Sequence, residues 1–482
     1  MKYIFLLISL FTFNFLQAQV TGVVKDAAGE PIPGANVFWM NTTNGVTTNE
    51  DGNSSIHKPA RSHMLVVSFI GFENDTIHVD KGNQQLDIVL REGVELSEVN
   101  VVTRKLGTMK LRTSVMNEDM ISSAELTRAA CCNLGESFVT NPSVDVSYSD
   151  AATGAKQIKL LGLSGTYVQM MTENIPNFRG AAAPYGLGYV PGPWMQSIQV
   201  SKGSSSVKNG YESITGQINV EFKKPQLPEA DWVSANLFAS STNRYEANAD
   251  ATVKLSKRWS TSLLAHYENE TKSHDSNDDG FVDIPRVEQY NVWNRWAYMG
   301  DHYVFQAGIK ALHETRNSGQ IAHGNTPSHD LYEIGIKTNR YEAFTKNAYI
   351  FDKEKNTNLA LILQGTLHNQ DANYGRKLYD VDQSNFYASL LFETELSKQH
   401  SLSAGLSFNY DGYDQNYRLT NQAEEGLTKK FVKESVPGAY VQYTFNLNDQ
   451  LMLMGGIRGD YSSEYGFFVT PVSYTHLRAH ET

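Results

Sequence analysis

The sequence predicts a mainly β protein in three parts: an N-terminal β-sandwich, a small α+β domain, and a run of long antiparallel strands patterned for a transmembrane barrel. Three observations predict it. After Asp231, apolar and polar residues alternate over long runs. Tyr245, Ala247, Ala249, Ala251, Val253 and Leu255 interleave with Glu246, Asn248, Asp250, Thr252 and Lys254, as lipid-facing and lumen-facing positions require. Short connections such as Ser256-Lys257-Arg258 and Gly300-Asp301-His302 alternate with longer ones, Glu268 to Glu288, Arg316 to Asp330, Arg376 to Asp382 and Arg418 to Glu434. Aromatic residues make up 11% of the chain, with Tyr the commonest, and hydrophobicity is diluted, as it is where only every second residue meets lipid.

Taken in order, Met1 to Gln19 reads as a secretory signal. Lys2 is the positive end, Tyr3 to Leu16 the apolar run, and Gln17-Ala18-Gln19 the cleavage site. The run is too short to span hydrocarbon, which takes about 20 residues. No later stretch comes closer without charges, so any membrane crossing falls to strands. The formal net charge of -11 and the lack of a basic block argue against nucleic acid as a partner.

Residues 20–91 read as the β-sandwich. Turns are expected at Asp26 to Gly29 and at Asp51-Gly52, and Pro31 and Pro33 mark an edge. Residues 92–109 are a linker holding a short β-prone run, Val99, Asn100, Val101 and Val102. From Thr113 to Val146 the expectation is strand, helix, strand. The helix would start at Ser122-Ser123 and run through the adjacent pair Cys131-Cys132 towards a stop near Asn141-Pro142. Neighbouring positions make an ordinary disulfide within the pair geometrically unfavourable.

Residues 110–225 form the second domain, and Ile158 to Pro225 is the stretch that organises the chain. It opens IKLLGLSGTYVQMMTENIP, passes through the Gly-, Ala- and Pro-rich FRGAAAPYGLGYVPGPW, and closes MQSIQVSKGSSSVKNGYESITGQINVEFKKP. The closing strand places Ile214, Gly216, Ile218 and Val220 around a Gly that permits close backbone approach. On these strings the segment resembles the plug domain of TonB-dependent outer-membrane receptors. Residues 20–91 resemble the carboxypeptidase-regulatory-like domain that precedes the plug in receptors of the Bacteroidetes type. Ser54-Ser55 departs from that pattern, which has an aromatic core residue nearby.

The resemblance implies gated, energised import across the outer membrane, with no enzyme activity. A TonB-type protein in the periplasm would pair with Val99 to Val102 by strand addition, which needs an extended and initially unpaired segment. The plug's apical loop would bind the ligand, with Arg179, Tyr185, Tyr189 and Trp194 as anchors. The cargo expected is an iron chelate or another small metal complex, with copper as the alternative. For copper the soft donors would be Cys131, Cys132, Met170 and Met171, with His313, His323 and His329 in loops. An adhesive or sensory protein on the same scaffold is the rival from another class.

Residues 231–471 count as about eleven strands of a barrel that closes with about 22 in this class, so the chain reads as truncated. Val472 to Thr482 (VSYTHLRAHET) reads as a non-native tail resembling a translated library adapter. One loop carries a calcium-like spacing, Asp275, Asn277, Asp279 and Asp283 with Gly280 at the sixth position, but Arg286 stands where a bidentate Glu belongs. A weak Ca²⁺ site and a solvated acidic loop both remain open there. GxSxG, HExxH and P-loop motifs are absent.

Overall fold

A computed structural model describes residues 19–477, apart from 27–28, 41, 43, 60–62, 70–71, 73, 80–84, 91–107, 111–115, 130–131, 140, 226–231, 322–330, 421–425 and 448–450. The chain divides between Thr103 and Arg104 into two units. The signal-like segment 1–18 and the linker run Val99 to Val102 lie outside the described residues.

The described residues of the first unit hold seven strands: β1 (Gln19–Lys25), β2 (Asn36–Trp39), β3 (Gly45–Thr47), β4 (Asn53–His57), β5 (Met64–Ser68), β6 (Asp75–His78) and β7 (Gln85–Val89). They form two sheets, ordered β4-β1-β7 and β3-β2-β5-β6. Alternate residues of both close one core, including Val20, Val24, Val37, Trp39, Ile56, Leu65 and Ile88. The expected turn at Asp51-Gly52 forms, with Gly52 at positive φ; at the other, Gly29 N donates to Asp26 O at 3.1 Å, and residues 27–28 lie outside the described ones. At the departure from the family pattern, Ser54 takes a buried position beside Ile56, and its hydroxyl donates to the Gly22 carbonyl at 3.3 Å.

The second unit begins with the plug strands. These are β8 (Thr108–Lys110), β9 (Asn117–Ser122), β10 (Val144–Asp150), β11 (Ala155–Leu160), β12 (Leu163–Ser164), β13 (Val168–Thr172), β14 (Ile175–Pro176), β15 (Met195–Lys202) and β16 (Gly216–Phe222). Six of them form one sheet in the order β14-β13-β16-β15-β9-β8. Gly216 allows the close approach expected of it: its φ is +150°, and a Cβ there would lie 2.1 Å from the Ser201 carbonyl oxygen. Ile214, however, precedes the strand and is exposed.

The helix expectation is corrected. Helix α1 is only Ser123–Arg128, capped by the Ser122 hydroxyl, which accepts from Glu125 N. Among the described residues that come next, Asn133 is extended and Leu134–Glu136 form a short 3₁₀ turn. The cause is tertiary: Cys132 O accepts from Gly192 N at 2.8 Å, and Leu134 N donates to Val190 O at 3.0 Å. These bonds take backbone groups that a continuous helix would have used internally.

Twelve strands then form one antiparallel meander: β17 (Trp232–Ala239), β18 (Arg244–Lys254), β19 (Trp259–Glu270), β20 (Arg286–Met299), β21 (Tyr303–Gly319), β22 (Glu333–Asp352), β23 (Thr357–Tyr374), β24 (Lys377–Ser397), β25 (His400–Arg418), β26 (Thr428–Leu447), β27 (Leu451–Ser462) and β28 (Gly466–Leu477). The sheet is inside out by soluble standards. Glu246, Asn248, Asp250 and Thr252 are each 5% exposed or less, whereas Leu237, Ile309, Leu406 and Phe467 are each more than half exposed. Such a wall suits an apolar solvent outside and a polar plug inside.

Two details of the strand reading are corrected. The described wall has twelve strands where about eleven are expected, and the last of them runs on through Val472 to Leu477, which pair in register with Gly456 to Leu451. Arg376 to Asp382 is no long loop. Gly375 and Arg376 alone join β23 to β24, with Tyr374 opposite Lys377. Likewise Thr428 to Glu434 belongs to β26. In both places alternating residues simply extend the hairpin, with no breaker to stop it.

Candidate functional site

The candidate functional surface is the seam between the plug and the inner face of the strand wall. One buried piece of it is the two-residue turn Glu173-Asn174 between β13 and β14. Thr172 pairs with Ile175 across it, and both turn residues have positive φ, 51° and 62°. A tight hairpin turn of this kind demands that geometry at both positions. Asn tolerates it; Glu does so at a cost on the order of 1–3 kcal/mol.

The surroundings over-determine Glu173. Its N–H donates to Val220 O at 2.9 Å, and its carbonyl accepts from Lys346 Nζ at 2.7 Å. Its carboxylate lies 2.6 Å from Arg295 Nη2 and 3.8 Å from Lys346 Nζ. Burial would push this carboxyl up; Arg295, then Lys346 and Lys224, override burial and hold it down at about 2. Arg295 in turn donates to Lys223 O at 2.8 Å and lies over the Trp293 ring at 4.5 Å. Beside it, Asn177 accepts from Arg340 Nη2 at 2.6 Å and donates to Glu342 at 2.9 Å.

The four apical residues expected to bind ligand do not form one open site. Gly180–Ala182, Gly186–Tyr189 and Gly192–Trp194 are 3₁₀ turns folded against the wall. Their carbonyls are taken by wall side chains: Asn291 donates to Tyr189 O at 3.0 Å and Gln289 to Gly188 O at 3.2 Å. Tyr189 and Trp194 are wholly buried. Trp194 stands 6.3 Å from the Trp293 ring, which Phe222 meets edge-on at 4.6 Å. They are packing residues, because aromatic rings this large gain more from burial than from presenting a face to water. Tyr185 is nearly buried under the Arg316 guanidinium, 4.9 Å from its ring.

Arg179 is a clasp and not a free anchor. It pairs with Glu212 of the plug at 2.5 Å and with Asp411 of β25 at 3.3 Å. Burial tends to lower its basicity, but Glu212 and then Asp411 hold it above its ordinary value. Burial also raises the Glu212 carboxyl, with Arg179 opposing. Other ties reach further strands: Lys208 to Glu393 at 2.7 Å, the Ser206 hydroxyl to Gln442 at 2.6 Å, and Arg458 Nη1 to Val207 O at 3.3 Å.

Cys131 lies outside the described residues. Cys132 is buried and off the helix, and burial, with Glu246 next, pushes its thiol well above the usual range. That is the opposite of thiolate character. Met170 and Met171 occupy successive positions of β13 and so point to opposite faces. His313 accompanies Asn339 at 2.7 Å on the wall, while His323 and His329 lie outside the described residues. In the acidic loop, Asp275 accepts from Gly280 N at 2.9 Å, Asp279 from Phe281 N at 2.9 Å and Asp283 from Ser276 N at 2.7 Å. Among the described residues no group of three or more His, Cys, Asp or Glu is arranged to hold a metal ion.

Residues 20–102 match the CarboxypepD_reg-like domain family, and residues 110–217 match the TonB-dependent Receptor Plug Domain. TonB-dependent receptor SusC of Bacteroides thetaiotaomicron is 28% identical over 245 residues, 48% of this chain and 24% of that protein. TonB-dependent receptor P39 of Formosa agariphila is 39% identical over 100 residues, 20% of this chain and 10% of its own length. The chain thus spans about a quarter or less of these curated relatives. Among solved structures, the siderophore receptor PirA from Acinetobacter baumannii superposes with a TM-score of 0.62 at 14% identity, over 77% of this chain and 61% of that one. The copper transporter OprC does so at 0.60 and 12%, over 74% and 55%. At such identities these two speak for the fold alone, a plug seated in a barrel wall. The chain thus carries a CarboxypepD_reg-like domain followed by a TonB-dependent Receptor Plug Domain, and it has TonB-dependent receptors of Bacteroides and Formosa among its relatives.

Proposed function

We propose that this chain acts in energised import of a scarce ligand across the outer membrane, after removal of its signal peptide, and that the ligand is an iron chelate or a similar metal complex. The observation that carries the reading is how the plug is seated. Ion pairs and bonds to backbone carbonyls tie it to strands from β18 to β27. Water entering the lumen can replace such contacts one by one. A pull on Val99 to Val102 by a TonB-type protein therefore has a seam that can yield, and no nucleotide site is needed.

For the cargo, solved structures of this fold include siderophore receptors and a copper transporter. The copper alternative needs thiolate, and the raised Cys132 thiol supplies little. That favours the organic chelate. Deleting Val99 to Val102 should abolish uptake of a labelled ferric chelate and leave surface binding intact. Uptake at the normal rate by the deletion strain would overturn the assignment.

A further inference from the structure

A cavity of about 90 Å³ lies between the plug and strands β18–β21. We propose that it receives a basic organic group, a guanidinium or primary ammonium, carried by the imported ligand; this rests on the import reading above. Lys156, Tyr148 and Tyr185 line it from the plug, and Arg244, Glu268 and Glu270 from the wall.

Arg244 is consumed by three carboxylates: Glu136 at 3.1 Å, Glu246 at 2.7 Å and Glu268 at 2.9 Å. Arg316, also at the cavity, is consumed as well. Its Nε and Nη2 donate to Glu314 at 3.2 and 3.0 Å, and its Nη1 donates to Thr153 O at 3.2 Å. Glu270 is different. It is 6% exposed, it opens on the cavity, and no ion pair or side-chain hydrogen bond joins its carboxylate to a described residue. An ionised carboxylate in such a place is costly until a partner arrives.

With all of them ionised, five carboxylates (Glu136, Glu246, Glu268, Glu270 and Glu314) would face three cations (Arg244, Arg316 and Lys156), an excess of two negative charges. The one cation not tightly paired is Lys156, 3.9 Å from Glu136. Burial, with Arg244 and Arg316 nearby, holds its ammonium below the ordinary value against the pull of Glu136, which eases repulsion of an incoming positive group. A metal ion fits less well, since every other carboxylate here is tied to an arginine and cations such as Ca²⁺ want six or more oxygens. The volume admits several waters or the head of a side-chain-sized group.

The test uses butylguanidinium and its near-isosteric neutral counterpart butylurea, titrated calorimetrically into the whole detergent-solubilised chain. Butylguanidinium should bind saturably and butylurea should not. Glu270→Gln should weaken binding roughly tenfold or more, the loss expected for a charge-assisted hydrogen bond. Lys156→Gln should move it the other way, tightening binding by removing a like charge, so a general loss of folding cannot mimic both results. Equal binding of the two probes, or an unchanged affinity in Glu270→Gln, would overturn the site. Glu270-dependent binding in a chain whose Val99–Val102 deletion still imports would sink the import reading alone; no binding, with import lost on deletion, would sink the site alone.

Discussion

Replacing Glu173 by Gln should loosen the plug from the wall by about 3–5 kcal/mol, the usual cost of breaking one side of a buried pair. The size follows from what is left behind. The Arg295 side chain is 1% exposed and stands 2.6 Å from the Glu173 carboxylate. Its remaining bond to Lys223 O satisfies a donor but not the charge. Lys346, with its side chain 16% exposed, can turn towards water; Arg295 cannot. Native-state hydrogen exchange read on β13 and β16 should report the loss as opening about two to three and a half decades more frequent, at about 1.4 kcal/mol per decade. Adding Arg295→Met should restore most of it, because Met keeps the contact with Trp293 and removes the stranded charge. If the double variant opens as often as the two single effects added together, the pair is not coupled and the reasoning fails.

Acid should act through the same carboxyl. Its folded-state value is depressed from 4.5 to about 2, so its stabilisation is fully present above about 4.5 and fades as pH falls towards 2. The stability gap between the wild type and Glu173→Gln, measured by urea unfolding, should close over that window; a gap constant down to pH 2 would contradict the assignment. Cys132 should resist alkylation by iodoacetamide at pH 8 in a Cys131→Ser background until denaturant is added, since burial and Glu246 disfavour its thiolate. Rapid labelling of the folded chain would show an accessible, metal-competent thiol instead.

The wall was legible in the sequence because its pattern is local: period two, apolar outward, polar inward, with turns between. The need for Gly216 was legible for the same reason. Helix α1 shows where local reading stops. Ser122 is a sound cap, but the chain leaves the helix to bond with Val190 and Gly192, and no pattern near Cys132 announces partners some sixty residues away. The ligand role expected of the apical loop came from the resemblance and not from its residues. The contrary signal was present in Tyr185, Tyr189 and Trp194, residues of a kind usually at least partly buried. Glu173 went unnoticed although Glu-Asn between VQMMT and IP offers the two residues a tight turn needs. Its partner, Arg295, lies on a distant strand that topology alone brings to it.

The seam is also lopsided, and that bears on how it opens. The buried apolar cluster shared by plug and wall draws its wall members from β19 to β23: Leu264, Trp293, Leu312, Ile334, Ile336 and Ala372. Against β24 to β28 the described ties are chiefly polar, through Arg179–Asp411, Lys208–Glu393, Ser206–Gln442 and Arg458–Val207 O. Apolar contact there includes Val207 beside Gly456 and Tyr211 edge-on to Phe468 at 5.1 Å. Each polar tie can be exchanged singly for water, at about 0.5–1.5 kcal/mol for a neutral bond and about 1.5–3 for one to a charged group, whereas Trp194 and Phe222 must be exposed together at a cost of several kcal/mol. The plug should therefore part from the β24–β28 side first and hinge on the tryptophan contact. Hydrogen exchange at 206–209 should precede exchange at Trp194 and Met195 under mild denaturant. Simultaneous opening of the two segments would show a plug that leaves as one piece and refute the hinge.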